Sequence, residues 1–480
     1  MASQSIAFSA SEYHADGGIR PAAYAFSGST ADGWEIRRNG AVQLRLGAGY
    51  ELVRVSHCGV CSTDLARRHL PFPLPQITGH EVVALDDAGA PVVVEINASH
   101  AGRALDRSAW CNFCRNDLET HCPDRLVLGI HDLPGGFSPW LLAPTRNVHR
   151  VPDRIDSLTA TLVEPFAAAL HAVRVIAPRD GDRVAVLGPR RLGSLMIAAL
   201  AAWRMRSGRR YEILAIARRA EMRALALALG ADEVMNAATV AAEHDLADVV
   251  VDTTGNPNGL ALAVQLARRE AHVKSTTGQP TLGLTHLTEL VVDEITLASY
   301  RDEGVPENGL ASPAPTVAAL LGDVPSSVAR TLSGRGLRVV RGDSAADFTM
   351  LEEAAPALGG ADLAVVASLA AIDHAIRPQA GVERGLVRAR GTICVVDVGQ
   401  PRDRLLAALL DKRLRISTSR CGDFGAALDL LADPATQLGG RLGEKMVTDV
   451  FPAARLADAL DAAARPSSIK VLVAHAGARL

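Results

Sequence analysis

Two short runs, HCGVCSTDL beginning at His57 and TGHEVV beginning at Thr78, bring a cysteine, a histidine and a glutamate within reach of a shared ligand. Cys61 offers a thiolate, His80 an imidazole and Glu81 a carboxylate, a donor mixture that suits a tetrahedral zinc ion with one position left open. A histidine followed by a glutamate says little alone. Joined to the cysteine motif upstream, after a Val-rich strand, the pair becomes specific, and metal-assisted chemistry on a small polar substrate is the expectation.

The elements that must position these residues differ along the chain. From about Tyr50 to Val151 short alternating runs such as ELVRV and PVVVEIN read as strands of a mostly-β domain with long loops. After Pro152, β-like runs (RVAVLG, YEILAIA, ADVVVDTTG, AHVKSTTG, EITLAS) alternate with helical stretches, which predicts a doubly wound parallel sheet. The polar segment from Arg301 to Thr316 marks an internal boundary. Beyond it three earlier runs return in the same order: SGRGLRVVRGD after SGRRYEILAIARR, ADLAVVAS after ADVVVDTT, and GTICVVDVGQP after AHVKSTTGQP. A partial, degenerate duplication of the β/α unit follows, with chance similarity of Ala- and Val-rich segments as the alternative. Its LLGDVPSSVART run, with Gly322 alone, reads as too short for strand, turn and helix, so the unit is expected to be structural or to mediate association.

A length of 480 residues implies two or three domains. Lys and Arg number 50 against 53 Asp and Glu, a net charge of -3 without an extended run of one sign, so neither nucleic acid nor a membrane surface is an expected partner. The N-terminal run lacks a signal-peptide pattern and no apolar stretch of about eighteen residues occurs, so a cytoplasmic protein is expected. Of the 7 cysteines, Cys394 and Cys421 stand alone while the rest cluster between Cys58 and Cys122, which in a reducing compartment favours metal ligands over disulfides.

These motifs resemble the zinc-containing medium-chain alcohol and polyol dehydrogenases, in the style of the sorbitol, threonine and glucose dehydrogenase branch. The resemblance implies a GroES-like catalytic domain over residues 1–152, a Rossmann dinucleotide-binding domain over 153–301, the degenerate Rossmann-like repeat over 302–425, and a segment over 426–480 that returns to the catalytic domain. It implies that Cys61 and His80 bind a catalytic zinc, that Glu81 lies in or just behind the ligand set, and that Glu164, in VEPFAAALHAV, is the remaining ligand or holds the zinc-bound water. Thr63 occupies the hydroxyl position that passes the substrate proton outward, and Asp64 orients the ligands from behind. Cys58 reads as a packed thiol. Where the family often carries a relay histidine this chain has Ala66, so the proton must leave by water, His57, His69 or another group.

The run WCNFCRNDLETHC sets Cys111, Cys114 and Cys122 in the spacing of the family's structural zinc lobe. The family's first cysteine is missing, and His100 is the residue that can replace it in a closed second site; a metal-free lobe of three thiols is the alternative. In VAVLGPRRLGSL the resemblance places the cofactor pyrophosphate on the turn Gly188, Arg190, Arg191, Leu192 and Gly193, with Thr253 beyond a later strand. Arg190 replaces the middle glycine of the usual pattern, and the expectation is that it swings out and lends charge. Ala217 stands where an acidic residue would bind a free ribose, followed by Arg218 and Arg219, which favours NADP over NAD. The function implied is hydride transfer between an alcohol or polyol, or the matching carbonyl, and NADP(H), by a homo-oligomer (dimer or tetramer). A zinc lyase or isomerase, or a catalytically silent binding protein, are the alternatives. Substrate contacts are expected from His69 to Pro75, from His131 to Trp140 and from the inserted unit.

Overall fold

Strand-forming runs turned by glycines make the N-terminal part a set of mostly antiparallel sheets. β1 (Gln4–Tyr13), β2 (Ile19–Ser29), β3 (Gly33–Arg38) and β4 (Ala41–Leu46) follow one another in a four-stranded sheet that buries Tyr24, Phe26, Trp34 and Ile36. β5 (Tyr50–Gly59), β6 (Glu81–Leu85) and β7 (Pro91–Val94) form the middle of the next sheet. β8 (Asn97–Ala98), β9 (Leu126–Leu128) and β10 (Asp132–Leu133) make a small third sheet, and β11 (Trp140–Pro144) and β12 (Val148–Arg150) return to the second.

The computed structural model describes residues 3–69, 73–103, 105–275, 278–301, 313–343, 351, 353, 358–377, 385–399 and 402–477. The chain divides into one unit of Met1–Ala167 with Gly422–Leu480 and another of Ala168–Cys421. Most of the expected linker from Arg301 to Thr316, and the substrate-loop residues Leu70 to Phe72, lie outside the described residues. No helix among those described is long and apolar enough to cross a membrane.

Among the described residues, the second unit holds one eleven-stranded sheet. Its strands are β13 (Arg183–Leu187), β14 (Glu212–Ala217), β15 (Glu233–Asn236), β16 (Ala247–Asp252), β17 (Ala267–Val273), β18 (Thr296–Ser299), β19 (Val317–Leu321), β20 (Arg338–Arg341), β21 (Ala361–Val366), β22 (Val387–Val395) and β23 (Arg415–Thr418). Across the sheet they run β15-β14-β13-β16-β17-β23-β18-β22-β21-β19-β20. The first part of that order, taken through β23, is the 3-2-1-4-5-6 order of a doubly wound dinucleotide-binding sheet, with its switch point between β13 and β16. Strands such as β13, β16, β19 and β21 read as nearly continuous Val, Leu and Ala because both faces are covered, and one apolar core extends from Leu214 and Leu187 through Ile416 and Leu297 to Ile393 and Leu321. Finally β24 (Val447–Pro452) and β25 (Lys470–Ala474), from the C-terminal segment, complete the second sheet of the first unit, with β25 beside β5.

One expectation is corrected. LLGDVPSSVART is not too short for strand, turn and helix: β19 ends at Leu321, Gly322 turns with φ of +75°, and a helix runs over Ser326–Gly334. The turn resembled no dinucleotide motif because serines and a proline stand where glycines would, but its length is intact.

Candidate active site

β5 ends at Gly59, which pairs in register with Glu81 of β6 on one side and Leu472 of β25 on the other. The chain then turns into a one-turn helix, Ser62–Ala66, that Asp64 organises. Asp64 Oδ2 accepts the Cys61 N–H at 2.8 Å and Oδ1 accepts the Gly79 N–H at 3.1 Å, so one carboxylate ties together the backbone carrying Cys61 and the backbone carrying His80. Gly79 has φ of +92°, and a Cβ there would come within 2.8 Å of Cys58 Sγ, so the approach to His80 admits only glycine. The packed thiol of Cys58 is fully buried, and burial pushes it up, away from ligation.

His80 is buried, with Nδ1 3.8 Å from Asp64 Oδ1 and that ring nitrogen without a hydrogen-bond partner. Burial alone would lower the imidazole, but Cys61, Asp64 and Glu164 together raise it well above its ordinary value. A histidine in hydrogen-bonding contact with a cysteine, backed by a carboxylate and facing a second, fits a divalent metal ion by the chemistry of its donors. Cys61 Sγ donates to Thr63 Oγ1 at 3.7 Å, which sets the hydroxyl beside the pair. Arg67, on the next turn and fully buried, donates to Pro73 O at 3.1 Å, within the first stretch from which substrate contacts were expected, and to Ile130 O at 2.5 Å, just ahead of the second. Of the relay candidates, His57 is buried and held low by burial and by His475, while His69 is exposed and accepts from Arg68.

Glu81 is placed differently from Cys61 and His80. Its carboxylate is ion-paired with Lys470 of β25, both side chains being almost wholly buried, and the ammonium also reaches Val60 O at 3.5 Å. The space is opened by Gly59, where a Cβ would lie 2.1 Å from Glu81 Oε2. Sequence reasoning missed Lys470; the signal was a lysine inside the apolar run SSIKVLV.

The lobe brings its expected ligands together. The ligand atoms of His100, Cys111, Cys114 and Cys122 all lie within 4.8 Å of one another. Cys111 Sγ is 3.7 Å from Cys122 Sγ, and Cys122 Sγ is 3.5 Å from His100 Nδ1. Zinc bonds of roughly 2.3 Å to sulfur and 2.0 Å to nitrogen give tetrahedron edges of about 3.8 and 3.5 Å, so the group has the size of a closed zinc site. His100 Nε2 faces Asp124 Oδ2 at 3.7 Å, as an outer carboxylate faces a ligating imidazole. Within the group Cys122 is lowered, first by the hydrogen bond from Cys114, while Cys114 is raised.

In the second unit, Gly188 ends β13 with φ of +76°, and the helix Leu192–Ser207 begins after Arg191. A Cβ on Gly193 would meet Thr253 Oγ1 at 2.5 Å and Gly188 O at 2.7 Å, so the glycine lets the helix start close under the turn. Thr253 Oγ1 donates to Leu187 O at 2.7 Å, which makes it a support of that turn. Arg190 is half-buried; burial, Arg191 and Arg219 all lower it, so three guanidinium groups share the space around a helix N-terminus. Arg218 is exposed and Ala217, the last residue of β14, is buried.

Residues 47–153 match the alcohol dehydrogenase GroES-like domain. An alcohol dehydrogenase of Geobacillus stearothermophilus is 32% identical over 161 residues, 32% of this chain and 47% of that protein. L-galactonate-5-dehydrogenase of Escherichia coli strain K12 is 30% identical over 154 residues, 31% of this chain and 45% of that protein. The chain thus spans about half the length of these relatives. Among solved structures, L-idonate 5-dehydrogenase of Escherichia coli has the same fold, with a TM-score of 0.57 at 14% identity over 99% of this chain and 100% of that one. A GroES-like β domain followed by a doubly wound parallel sheet is the fold of the medium-chain dehydrogenases. Over residues 47–153 the chain carries the GroES-like domain of the alcohol dehydrogenases, and it is similar there to zinc-type alcohol and polyol dehydrogenases.

Proposed function

We propose that the chain is a zinc-dependent oxidoreductase that moves a hydride between a polyol, or another alcohol, and a nicotinamide cofactor, with NADP(H) preferred to NAD(H). The observation that carries this reading is the Cys61–His80 pair clamped by Asp64, with Thr63 beside it. Cys61 and His80, with Glu164, would hold zinc there, and when bound the ion supplies the Lewis acidity that eases loss of the alcohol proton. Thr63 takes that proton at its hydroxyl. Asp64 fixes both ligands, and Lys470 neutralises Glu81 behind them so that its charge does not compete. His100, Cys111, Cys114 and Cys122 would hold a second zinc whose role is to fold the lobe.

The cofactor preference rests on Arg190, Arg191 and Arg219 at the turn and on Ala217, which leaves no carboxylate to repel a 2′-phosphate. A polyol substrate is favoured because one relative named above is, by name, a dehydrogenase of L-galactonate. The test is a fluorescence titration of zinc-loaded protein with NADPH and NADH side by side, followed by turnover on a panel of polyols and sugar acids. Tighter NADPH binding, and turnover abolished in Cys61→Ser with the loss of one zinc per chain, is expected. Full zinc loading without binding of either cofactor would overturn the hydride reading, and tighter NADH binding would overturn the preference.

A further inference from the structure

The eleven-stranded sheet reads nearly the same from both ends. One row of paired residues runs Leu214–Ala185–Val250–Ala271–Ile416 from β14 to β23. The matching row runs Val340–Ala319–Ala364–Ile393–Leu297 from β20 to β18. Ala185 and Ala319 are each third in their strands, Val250 and Ala364 each fourth, and Ile416 and Leu297 each second. The two rows meet where Leu297 pairs antiparallel with Ile416, so each of these residues is opposite its own counterpart. Backbone detail agrees: Gly188 and Gly322 turn after equivalent strands with φ of +76° and +75°, and Glu294 and Arg413, each two residues before its strand, have φ of +53° and +54°. A pairing in which every element faces its equivalent is the signature of two-fold association between copies.

The repeats are also interlocked. β18 follows β17 in the chain but lies parallel beside β22, whereas β23 follows β22 and lies parallel beside β17. Each repeat therefore receives its sixth strand from the other. The side chains select this arrangement. On β17 and just beyond it, Glu270, His272 and Lys274 are buried, and their partners come from β23 and the residues after it. Ser417 Oγ donates to Glu270; His272 Nδ1 is 2.7 Å from Ser417 Oγ and Nε2 2.9 Å from Ser419 Oγ; Lys274 Nζ donates to Ser419 Oγ at 3.0 Å and to Arg420 O at 2.6 Å. The equivalents of Ser417 and Ser419 in the other repeat are Ala298 and Tyr300, so β18 beside β17 would leave these buried groups without the two serine hydroxyls.

We propose that the second repeat is a built-in partner: it occupies the sheet edge at which a second copy would add, and the exchanged strands β18 and β23 close that edge within one chain. An edge strand is a template for pairing, and here it is covered covalently. Association of whole chains, expected from the sequence, must then use another surface. The test is hydrogen exchange read by mass spectrometry on the full zinc-loaded chain at two concentrations a hundredfold apart, with sedimentation at each. Slow exchange of the β18 and β23 amides, equal to that of β16 and unchanged by dilution, is expected, with a mass of 50.5 kDa. A larger mass with that protection unmoved supports the closure equally, because the chains then join elsewhere. Exchange of β18 and β23 as fast as the outer strands β15 and β20, or protection that falls on dilution, would overturn it.

Discussion

Lys470 and Glu81 are each close to fully buried and are paired with each other, so neither can be removed alone without leaving a charge in an apolar setting. Losing one partner of such a pair costs about 3–5 kcal/mol, whereas replacing both by neutral groups is far milder. Lys470→Met is therefore expected to lower the melting temperature strongly, and Lys470→Met with Glu81→Gln to recover most of the loss; thermal denaturation of the two variants checks this. The cofactor turn allows a second prediction. Arg219, which acts on Arg190, is expected to matter more for 2′-phosphate than the exposed Arg218. A charge-assisted hydrogen bond is worth roughly 1.5–3 kcal/mol, so Arg219→Ala should weaken NADPH about tenfold to a hundredfold while NADH changes less. Equal effects on the two cofactors would place Arg219 at the shared pyrophosphate instead. That Cys61 and His80 come together could be read from the sequence because their chemistry is local to two short motifs. Lys470 could not, since its partner is remote in sequence and only the pairing of β25 with β5 brings it near.

Two elements depend on charge or metal for their position. Arg269, on β17, donates to both oxygens of Asp182 at 2.7 and 2.8 Å, and Asp182 stands just ahead of β13. Burial would raise the Asp182 carboxyl, but Arg269 outweighs it and the net direction is down. A lowered carboxyl contributes stability above its unfolded-state range that is lost as pH falls through the folded value. Arg269→Met should thus destabilise by roughly 1–3 kcal/mol at pH 7 and progressively less below about pH 4, where both proteins lose the charge. A pH-independent difference in urea midpoints would count against the ion pair. The lobe offers a separate measurement. Because its four ligand atoms lie within 4.8 Å of one another, a chelator or Cys114→Ser is expected to lower the melting temperature of the protein, with any zinc held there lost in both cases. That three cysteines cluster was legible from their spacing. His100, too, was legible from its place just after the strand Asn97–Ala98, and the structure brings it to the three cysteines.

At the scale of the whole molecule, three echoes revealed the duplication, but its most telling part was invisible. EITLAS and RLRIST share almost no identity, because β18 lies beside an apolar strand and β23 beside the polar row of Glu270 and His272, so the two copies were shaped by different neighbours. Only the strand register and the paired left-handed residues Glu294 and Arg413 show that they correspond. The correspondence defines a shortened chain: deleting residues 302–420 joins Arg301 to Cys421 and removes one repeat. Ala298→Ser and Tyr300→Ser should be added, to restore the hydroxyls that His272 and Lys274 require from a sixth strand. In that chain β18 is the one sixth strand left, and whether it pairs with its own β17 or with that of a neighbour, its outer side lacks the antiparallel partner that β23 now supplies. A second copy can provide that partner through the same Leu297 position, so the shortened chain is expected to sediment as a dimer with β18 protected from hydrogen exchange. A monomer at all concentrations, with β18 equally protected, would show that the sheet needs no partner at its two-fold and that the second repeat serves another purpose.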